Sequence, residues 1–323
     1  MPPLFLEEHA SVMFRVTSIV RVVLTLFFIL LCAVPWVIAY SAEELLRLVV
    51  MGGKHRMSAA AWSCVSIIYD DMTMFASHVS EAYRHMRWRW NDNPAITGDR
   101  VVLTFDDAPG DNEQLLEQLL DVLKEFEAHA SFFCTTDTIA GMEKLMERLV
   151  RDGHEACNHM PEDKPYAWYG EESFAAELRK AEVALEPFNN SGHGKRRQKW
   201  FRPPNGAMSS SMSHVLAQKG YEAVLGDVFS NDVFVGGHQR RARSSEGTVA
   251  WHAKYCRERT TPGSIVIFHV PRKKDRWNAV DITRAFLRDC KERGLSCVSL
   301  SEMAELHSHG KSREVALASG SAL

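Results

Sequence analysis

A pair of adjacent carboxylates follows the apolar run Val101–Phe105. Asp106 and Asp107 lie there, within the segment TFDDAPG. Neighbouring residues that leave a strand point in different directions, so one carboxylate can bind a metal ion while the other remains available as a base. The pair therefore indicates general-base chemistry beside a metal ion.

Further ligand types occur later in the chain. His159 ends the segment GHEACNH, and the carboxylates of Glu162 and Asp163 follow it closely. An aspartate, a histidine and a second carboxylate make a three-ligand site that leaves coordination positions for water and substrate. A metal ion held in this way acidifies bound water and polarises a carbonyl group. His269, which ends a later apolar run, can then protonate a leaving amine. The spacing leaves open which of the two carboxylates is the third ligand.

Short apolar runs alternate with helical patterns from residue 100 onwards. The runs are Val101–Phe105, Ala130–Cys134, Glu155–His159, Trp200–Pro203, Tyr221–Gly226, Ser264–His269 and Ser296–Leu300. Parallel strands need crossover connections, so this rhythm predicts an α/β fold with a parallel sheet. Seven strands over roughly 200 residues predict a distorted (β/α) barrel, an incomplete relative of the eight-stranded barrel. An open doubly wound sheet is the alternative.

Polar residues end or follow most of these runs. They are Asp106, Asp107, His159, Arg202, Asp227 and His269. In a β/α barrel the carboxyl ends of the strands form one face, and active sites are built there. We therefore expect these side chains to converge on one face.

Five motifs in the same order resemble those of the polysaccharide deacetylases, carbohydrate esterase family four. They are TFDDAPG, GHEACNH, FRPPNG, GDVFSND and IVIFH. The resemblance covers residues 99–303. It implies a distorted β/α barrel with fewer than eight strands and hydrolysis of the N-acetyl group of an amino sugar. It also implies a divalent metal cofactor, often zinc, with cobalt or another divalent ion as alternatives.

The resemblance also implies catalytic roles for four matching positions. Asp106 resembles the general base, and Arg202 resembles the arginine that orients it. His269 resembles the general acid, and Asp232 resembles the acidic residue that tunes this histidine. In such a scheme the base takes a proton from water, and the acid protonates the departing amine.

Metal and substrate positions follow from the same motifs. The resemblance implies that Asp107 and His159 are metal ligands. Asp163 stands where the family usually has a second histidine, and we expect it to be the third ligand. Pro203 and Ile267 are expected to contact the substrate, since Ile267 matches the apolar residue that lines the acetyl pocket.

An uncharged apolar segment precedes all of these motifs. Val22–Tyr40 spans 19 residues without a charge, close to the roughly 20 residues that cross a bilayer. Arg15 and Arg21 before it predict a cytosolic N-terminus and a catalytic part in the secretory lumen or outside the cell. A cleaved signal peptide, and hence a secreted protein, is the alternative. Residues 41–98 are then a helical stem, 99–305 the catalytic domain and 306–323 a tail.

Composition excludes several other classes of protein. The 323 residues are 46% hydrophobic and 24% charged, which is not the composition of a disordered chain. The net charge of −3 argues against a nucleic-acid partner.

The motifs and the family resemblance together predict a metal-dependent hydrolase of non-peptide C–N bonds that acts on an N-acetylated glycan of the chitin type. The alternatives are an amidohydrolase of a small non-sugar amide and a sugar-binding protein with an inactive site.

Overall fold

The computed structural model describes residues 81–90, 97–189, 198–230, 232, 245–271 and 278–308. These residues all belong to one of two units of the chain, Ser58–Leu323. The predicted membrane segment at 22–40, most of the predicted stem and residues 309–323 lie outside the described residues.

Within the described residues, eight strands form one sheet in the order β5-β4-β3-β2-β1-β7-β6, and β8 pairs with the beginning of β1. The strands are β1 Arg100–Ala108, β2 Ser131–Cys134, β3 Glu155–Asn158, β4 Lys199–Phe201, β5 Tyr221–Ala223, β6 Val228–Phe229, β7 Ile265–His269 and β8 Ser296–Val298. All of these ladders are parallel. From β1 to β5 each strand lies beside the next in sequence, and β7 returns to β1. This is the succession of a partly closed barrel rather than of a doubly wound sheet.

In the described ranges, helices accompany the strands of the sheet. They are α1 Glu81–Arg84, α2 Glu113–Glu125, α3 Glu143–Arg151, α4 Glu171–Leu185, α5 Ser210–Gln218, α6 Ser245–Arg259 and α7 Ala279–Glu292. The first precedes β1, and the six after it lie in connections between strands. Residues 300–308 are helical as well. Parallel strands require such crossovers, which return the chain to the amino end of the sheet each time.

Helix α2 forms because its leucines recur at helical spacing. Leu116, Leu120 and Leu123 are buried and pack into the hydrophobic layer outside the sheet. Asn112 caps the helix, since its side-chain oxygen accepts a hydrogen bond from the Leu115 amide at 3.2 Å. A cap of this kind stabilises a helix by about 1 kcal/mol.

Along each strand, side chains that face the barrel interior alternate with side chains that face this outer layer. Leu103 and Phe105 of β1 and Phe268 of β7 pack outwards with the helices, whereas Val102 and Ile265 pack inside. Successive side chains of a strand point to opposite faces. Thr104 and Asp106 therefore share the inner face with Val102.

The fifth predicted run, Tyr221–Gly226, forms a shorter strand in the structure, and a strand that was not predicted follows it. Strand β5 ends at Ala223, and the short strand β6 begins at Val228. Between them Gly226 passes so close to β7 that a Cβ atom there would lie 2.5 Å from the carbonyl oxygen of Ile265. The sequence pattern missed β6 because a two-residue strand carries no periodic signal.

Residues 86–90 pack against the sheet where the described residues have no ladder between β5 and β6. Arg87 bridges to Val224, and Arg89 bridges to Ser264. Trp90 is buried, at 2% exposure, and its ring contacts that of Trp200 with centroids 6.1 Å apart. These aromatic and basic residues thus form a packing segment of the barrel.

The predicted single-pass membrane localisation is corrected by the structure. In the part of the chain that the structure describes, no helix is long and apolar enough to cross a bilayer. The longest helices there, α4 and α6, have 15 residues each, fewer than the roughly 20 that a span requires. The segment at 22–40 that prompted the prediction lies outside the described residues.

Candidate active site

The two aspartates at the end of β1 are separated by a break in strand register. Asp106 lies opposite Phe133 of β2 and Ala108 lies opposite Cys134, so Asp107 is the extra residue of a bulge. The φ angle of Asp107 is 64°, in the left-handed region, which costs a non-glycine residue about 1 kcal/mol or more. Both carboxylates are buried, and the bulge gives them different partners.

Asp106 is held by a buried ion pair. An Arg202 guanidinium nitrogen donates to Asp106 Oδ1 at 2.6 Å and to Thr104 Oγ1 at 2.8 Å. Two other guanidinium nitrogens donate to the carbonyl oxygens of Val224 and Leu225 at 3.3 and 3.1 Å. A buried charge pair needs such additional bonds, because neither charge is hydrated. The Asp106 carboxylate is therefore fixed in orientation.

Asp107 belongs to a cluster with His159 and Asp163. One potential ligand atom from each residue lies within 4.8 Å of the others. His159 Nδ1 lies 2.8 Å from the carbonyl oxygen of Arg202. A carbonyl only accepts hydrogen bonds, so Nδ1 carries a hydrogen, and Nε2 is the ring nitrogen that a metal ion can bind. Nε2 faces the cluster, 3.7 Å from Asp107 Oδ1.

This donor set fits a divalent metal ion. One imidazole nitrogen and two carboxylates suit zinc or a related divalent ion. The backbone carbonyl that orients the imidazole is a common second partner of metal-binding histidines. Glu162 is turned elsewhere, since its carboxylate pairs with Lys164 at 3.1 Å. The structure thus brings Asp163, and not Glu162, to the other two residues.

His269 lies beside Asp106 and is held by Asp232. The two residues His269 and Asp106 are register partners on the neighbouring strands β7 and β1. Asp232 Oδ1 lies 2.8 Å from His269 Nδ1. Asp232 Oδ2 accepts a hydrogen bond from the His269 backbone amide, also at 2.8 Å. The carboxylate only accepts, so Nδ1 donates and Nε2 is the nitrogen available to a substrate.

The two predicted substrate contacts lie on the elements that carry these groups. Pro203 is buried directly after Arg202 and starts the turn Pro204–Gly206. Ile267 lies two residues before His269 on β7 and is 7% exposed. Side chains two residues apart on a strand share a face, so Ile267 and His269 both point inwards.

Asp227 does not join the site, contrary to the expected convergence. It precedes β6 and lies at the amino end of β7, where Oδ1 accepts from the Ile265 amide at 2.7 Å. Its Oδ2 accepts from Ser264 Oγ at 3.1 Å and pairs with Arg89 at the same distance. Burial raises the pKa of Asp227, and these bonds oppose the rise. The cause of the error is the missed strand β6, which places Asp227 before a strand rather than after one.

Two residues of the site were missed from the sequence. Thr104 accepts a hydrogen bond from the same Arg202 nitrogen as Asp106. The sequence could have indicated this residue, because it lies two positions before Asp106 on one strand and therefore faces the same side of the sheet. The Asn205 side-chain amide donates to Asp163 Oδ1 at 3.1 Å. No spacing rule predicts that second contact, because the two residues lie on different loops.

Comparisons with known proteins match the family that the motifs resemble. Residues 94–224 match the family model described as "Polysaccharide deacetylase". A peptidoglycan-N-acetylglucosamine deacetylase of Bacillus cereus is 24% identical over 225 residues, which are 68% of this chain and 92% of that protein. A chitooligosaccharide deacetylase of Bradyrhizobium sp. is 40% identical over 65 residues, 20% of this chain and 29% of that protein.

Solved structures share the fold. The crystal structure of a peptidoglycan N-acetylglucosamine deacetylase has a TM-score of 0.56 at 20% identity, covering 68% of this chain and 92% of that one. A family 4 acetyl xylan esterase from Clostridium thermocellum, in complex with a cobalt ion, has a TM-score of 0.53 at 22% identity, covering 64% and 90%. A family pseudoenzyme from Bacillus anthracis has a TM-score of 0.52 at 18% identity, covering 67% of each chain.

The fold and the site together define a class of hydrolase built on a partly closed β/α barrel, with its polar cluster at the carboxyl ends of the strands. Residues 94–224 match the polysaccharide deacetylase family, and the two relatives named above are deacetylases. The family and the class of hydrolase that the motifs predict are thereby confirmed. The roles of individual site residues remain predictions.

Proposed function

We propose that this protein is a metal-dependent N-deacetylase of an N-acetylated amino sugar within a glycan. The observation that carries the proposal is the convergence of three units at the end of β1 and its neighbours. These units are the pair of Asp106 with Arg202, the cluster around His159, and the pair of His269 with Asp232. A base, a candidate metal cluster and an acid are the parts that amide hydrolysis by water requires.

The base and the acid divide the proton transfers. Arg202 binds Oδ1 of Asp106, and the carboxylate accepts a proton from the attacking water. As the water oxygen bonds to the acetyl carbon and the C–N bond breaks, His269 Nε2 donates a proton to the departing amine. Asp232 stabilises the positive charge that His269 carries before this donation. The products are acetate and the free amino sugar.

Asp107, His159 and Asp163 would hold the metal ion. When bound there, a divalent ion supplies Lewis acidity toward the acetyl carbonyl oxygen. The two carboxylates balance the charge of the ion, and the imidazole favours zinc or cobalt over magnesium. The cobalt ion bound to the Clostridium thermocellum relative supports a divalent ion but does not select among metals.

The names of the relatives support an N-acetylated glycan as the substrate. The Bacillus cereus and Bradyrhizobium relatives are named deacetylases of peptidoglycan N-acetylglucosamine and of chitooligosaccharides. Both substrates carry the acetyl group on the nitrogen of a glucosamine-type sugar. We therefore propose oligomers of N-acetylglucosamine, free or within peptidoglycan, as the substrate class.

An assay on the full chain tests the proposal. The protein is stripped with a chelator, reloaded with zinc or cobalt, and incubated with N-acetylglucosamine oligomers and with peptidoglycan. We expect acetate release that needs the added metal. Metal binding without acetate from any glycan would favour the small-amide hydrolase instead. A chain that binds no divalent metal would overturn both enzymatic functions and leave a sugar-binding protein with an inactive site.

A further inference from the structure

The three residues of the candidate metal cluster differ in how they are held. Asp107 and His159 are buried at 1% and 3% exposure, whereas Asp163 is exposed on the loop after β3. An exposed aspartate samples several rotamers, and ordering it costs conformational entropy. A ligand on an exposed loop therefore needs a partner that holds its carboxylate in place.

Asn205 supplies a contact of this kind. Its side-chain amide donates to Asp163 Oδ1 at 3.1 Å. Asn205 adopts a left-handed backbone conformation, with φ 57° and ψ 16°, inside the turn Pro204–Gly206. Asparagine tolerates this region better than most residues, and glycine is the other residue that does.

The turn that carries Asn205 is itself fixed. The Gly206 amide donates to the carbonyl oxygen of Pro203 at 3.0 Å. The carbonyl oxygen of Gly206 accepts a hydrogen bond from the Tyr83 hydroxyl at 2.9 Å. Two successive prolines precede Asn205 and restrict the backbone further. The amide is therefore presented from a rigid support rather than from a mobile loop.

We propose that Asn205 is a positioning residue that holds the Asp163 carboxylate in the orientation needed to bind the metal ion. The inference rests on the proposed metal site. It extends a pattern in the same segment, where the Arg202 carbonyl orients His159 and the Arg202 guanidinium orients Asp106. One short stretch, residues 202–205, thus orients the base and two ligands.

Metal affinity of the full chain provides the test. Asn205→Gly keeps a residue that accepts the left-handed backbone and removes only the side-chain amide. We expect its zinc or cobalt dissociation constant, measured by titration calorimetry, to rise about tenfold or more, because loss of such an outer partner typically weakens metal binding 10–100-fold.

Two controls separate positioning from a structural effect. The thermal midpoint of the metal-free chain should be nearly unchanged in Asn205→Gly. Glu162→Gln should bind metal as the unsubstituted chain does, because Glu162 pairs with Lys164. In an Asp163→Ala background, Asn205→Gly should cause no additional loss, since a positioning residue acts only through the group it holds.

The outcomes distinguish this inference from the proposed function. If the unsubstituted chain binds no divalent ion, the metal site and the positioning role are both overturned. If Asp163→Ala weakens binding while Asn205→Gly leaves it unchanged, the metal site stands and the role of Asn205 is overturned. Equal losses from Asn205→Gly with and without Asp163 would also contradict a role through this carboxylate.

Discussion

Asp106 and Asp107 are neighbours in sequence, yet different partners hold them. The Arg202 guanidinium binds Asp106, whereas Asp107 lies against the Nε2 edge of His159. The bulge at Asp107 makes this division possible, because a regular strand would turn the second carboxylate to the outer face. The difference in partners supports different roles, a base for the first residue and a metal ligand for the second.

We expect Asp106→Asn to lose most turnover while retaining the metal ion. An amide of the same shape cannot accept the proton from water, and general-base catalysis is typically worth 10²–10⁴-fold in rate. Acetate release and bound metal, measured on one preparation, check this outcome. Asp107→Asn is the matched variant and should lose metal. Full activity in Asp106→Asn would show that another group is the base.

Arg202→Ala should reduce the free energy of unfolding strongly. Arg202 is 1% exposed, and its removal leaves the buried Asp106 carboxylate without a countercharge. Breaking a buried pair on one side costs about 3–5 kcal/mol, which urea denaturation can measure. Arg151→Ala is the control, because its side chain is 71% exposed and its ion pair with Asp152 spans 3.8 Å. A comparable loss in both variants would contradict a special role for the buried pair.

Elements of the fold carry a second group of titratable residues away from the site. His154 lies between α3 and β3, and its Nδ1 accepts a hydrogen bond from the Ala130 amide at 3.3 Å. A nitrogen that accepts must be unprotonated, and burial lowers the pKa of His154 to about 4. Burial likewise lowers the pKa of His252 on α6 to about 4. Both imidazoles are therefore buried in the neutral form.

The stability of the protein should fall as the pH decreases from about 6.5 towards 4, through His154. In this window the unfolded imidazole binds a proton that the folded one excludes, so each pH unit costs about 1.4 kcal/mol per group. His129 has its pKa raised by Glu302 and acts in the opposite direction. The effect is isolated by comparing the unsubstituted chain with His154→Asn, whose side-chain oxygen can accept the hydrogen bond from the Ala130 amide. Parallel pH profiles for the two chains would contradict it.

At the scale of the whole molecule, the two ends of the sheet carry different kinds of polar residues. The carboxyl ends bring together Asp106, the candidate metal cluster and His269. The amino ends hold a structural network in which Glu155 binds Ser131 and Ser301 at 2.5 and 2.6 Å. Asp227 lies at this end too, and the Trp90 amide donates there to the carbonyl oxygen of Gly263 at 2.8 Å. This separation is typical of β/α barrels, where one face supports chemistry and the other supports stability.

Asp227→Ala should therefore change stability and not turnover. It leaves the Ile265 amide and the Ser264 hydroxyl without their acceptor, at about 1–3 kcal/mol for each buried group. We expect the midpoint of urea denaturation to fall. The kcat and the metal content, measured without urea where the variant is folded, should be unchanged. If Asp227→Ala kept its stability but lost activity, Asp227 would have to be counted among the functional residues of the site.

The sequence by itself determined the elements and the chemistry that they offer. Short apolar runs predicted every described strand except β6, and helical spacing of apolar residues predicted most of the helices between them, because burial leaves such patterns in the chain. The order of five motifs identified the family. Only the tertiary structure decided that Asp163 rather than Glu162 meets His159, that Asp227 lies at the far end of the sheet, and that Asn205 reaches Asp163. The physical reason is that a local pattern encodes the direction of a side chain within its own element, whereas the distance between two loops is set by how the elements pack.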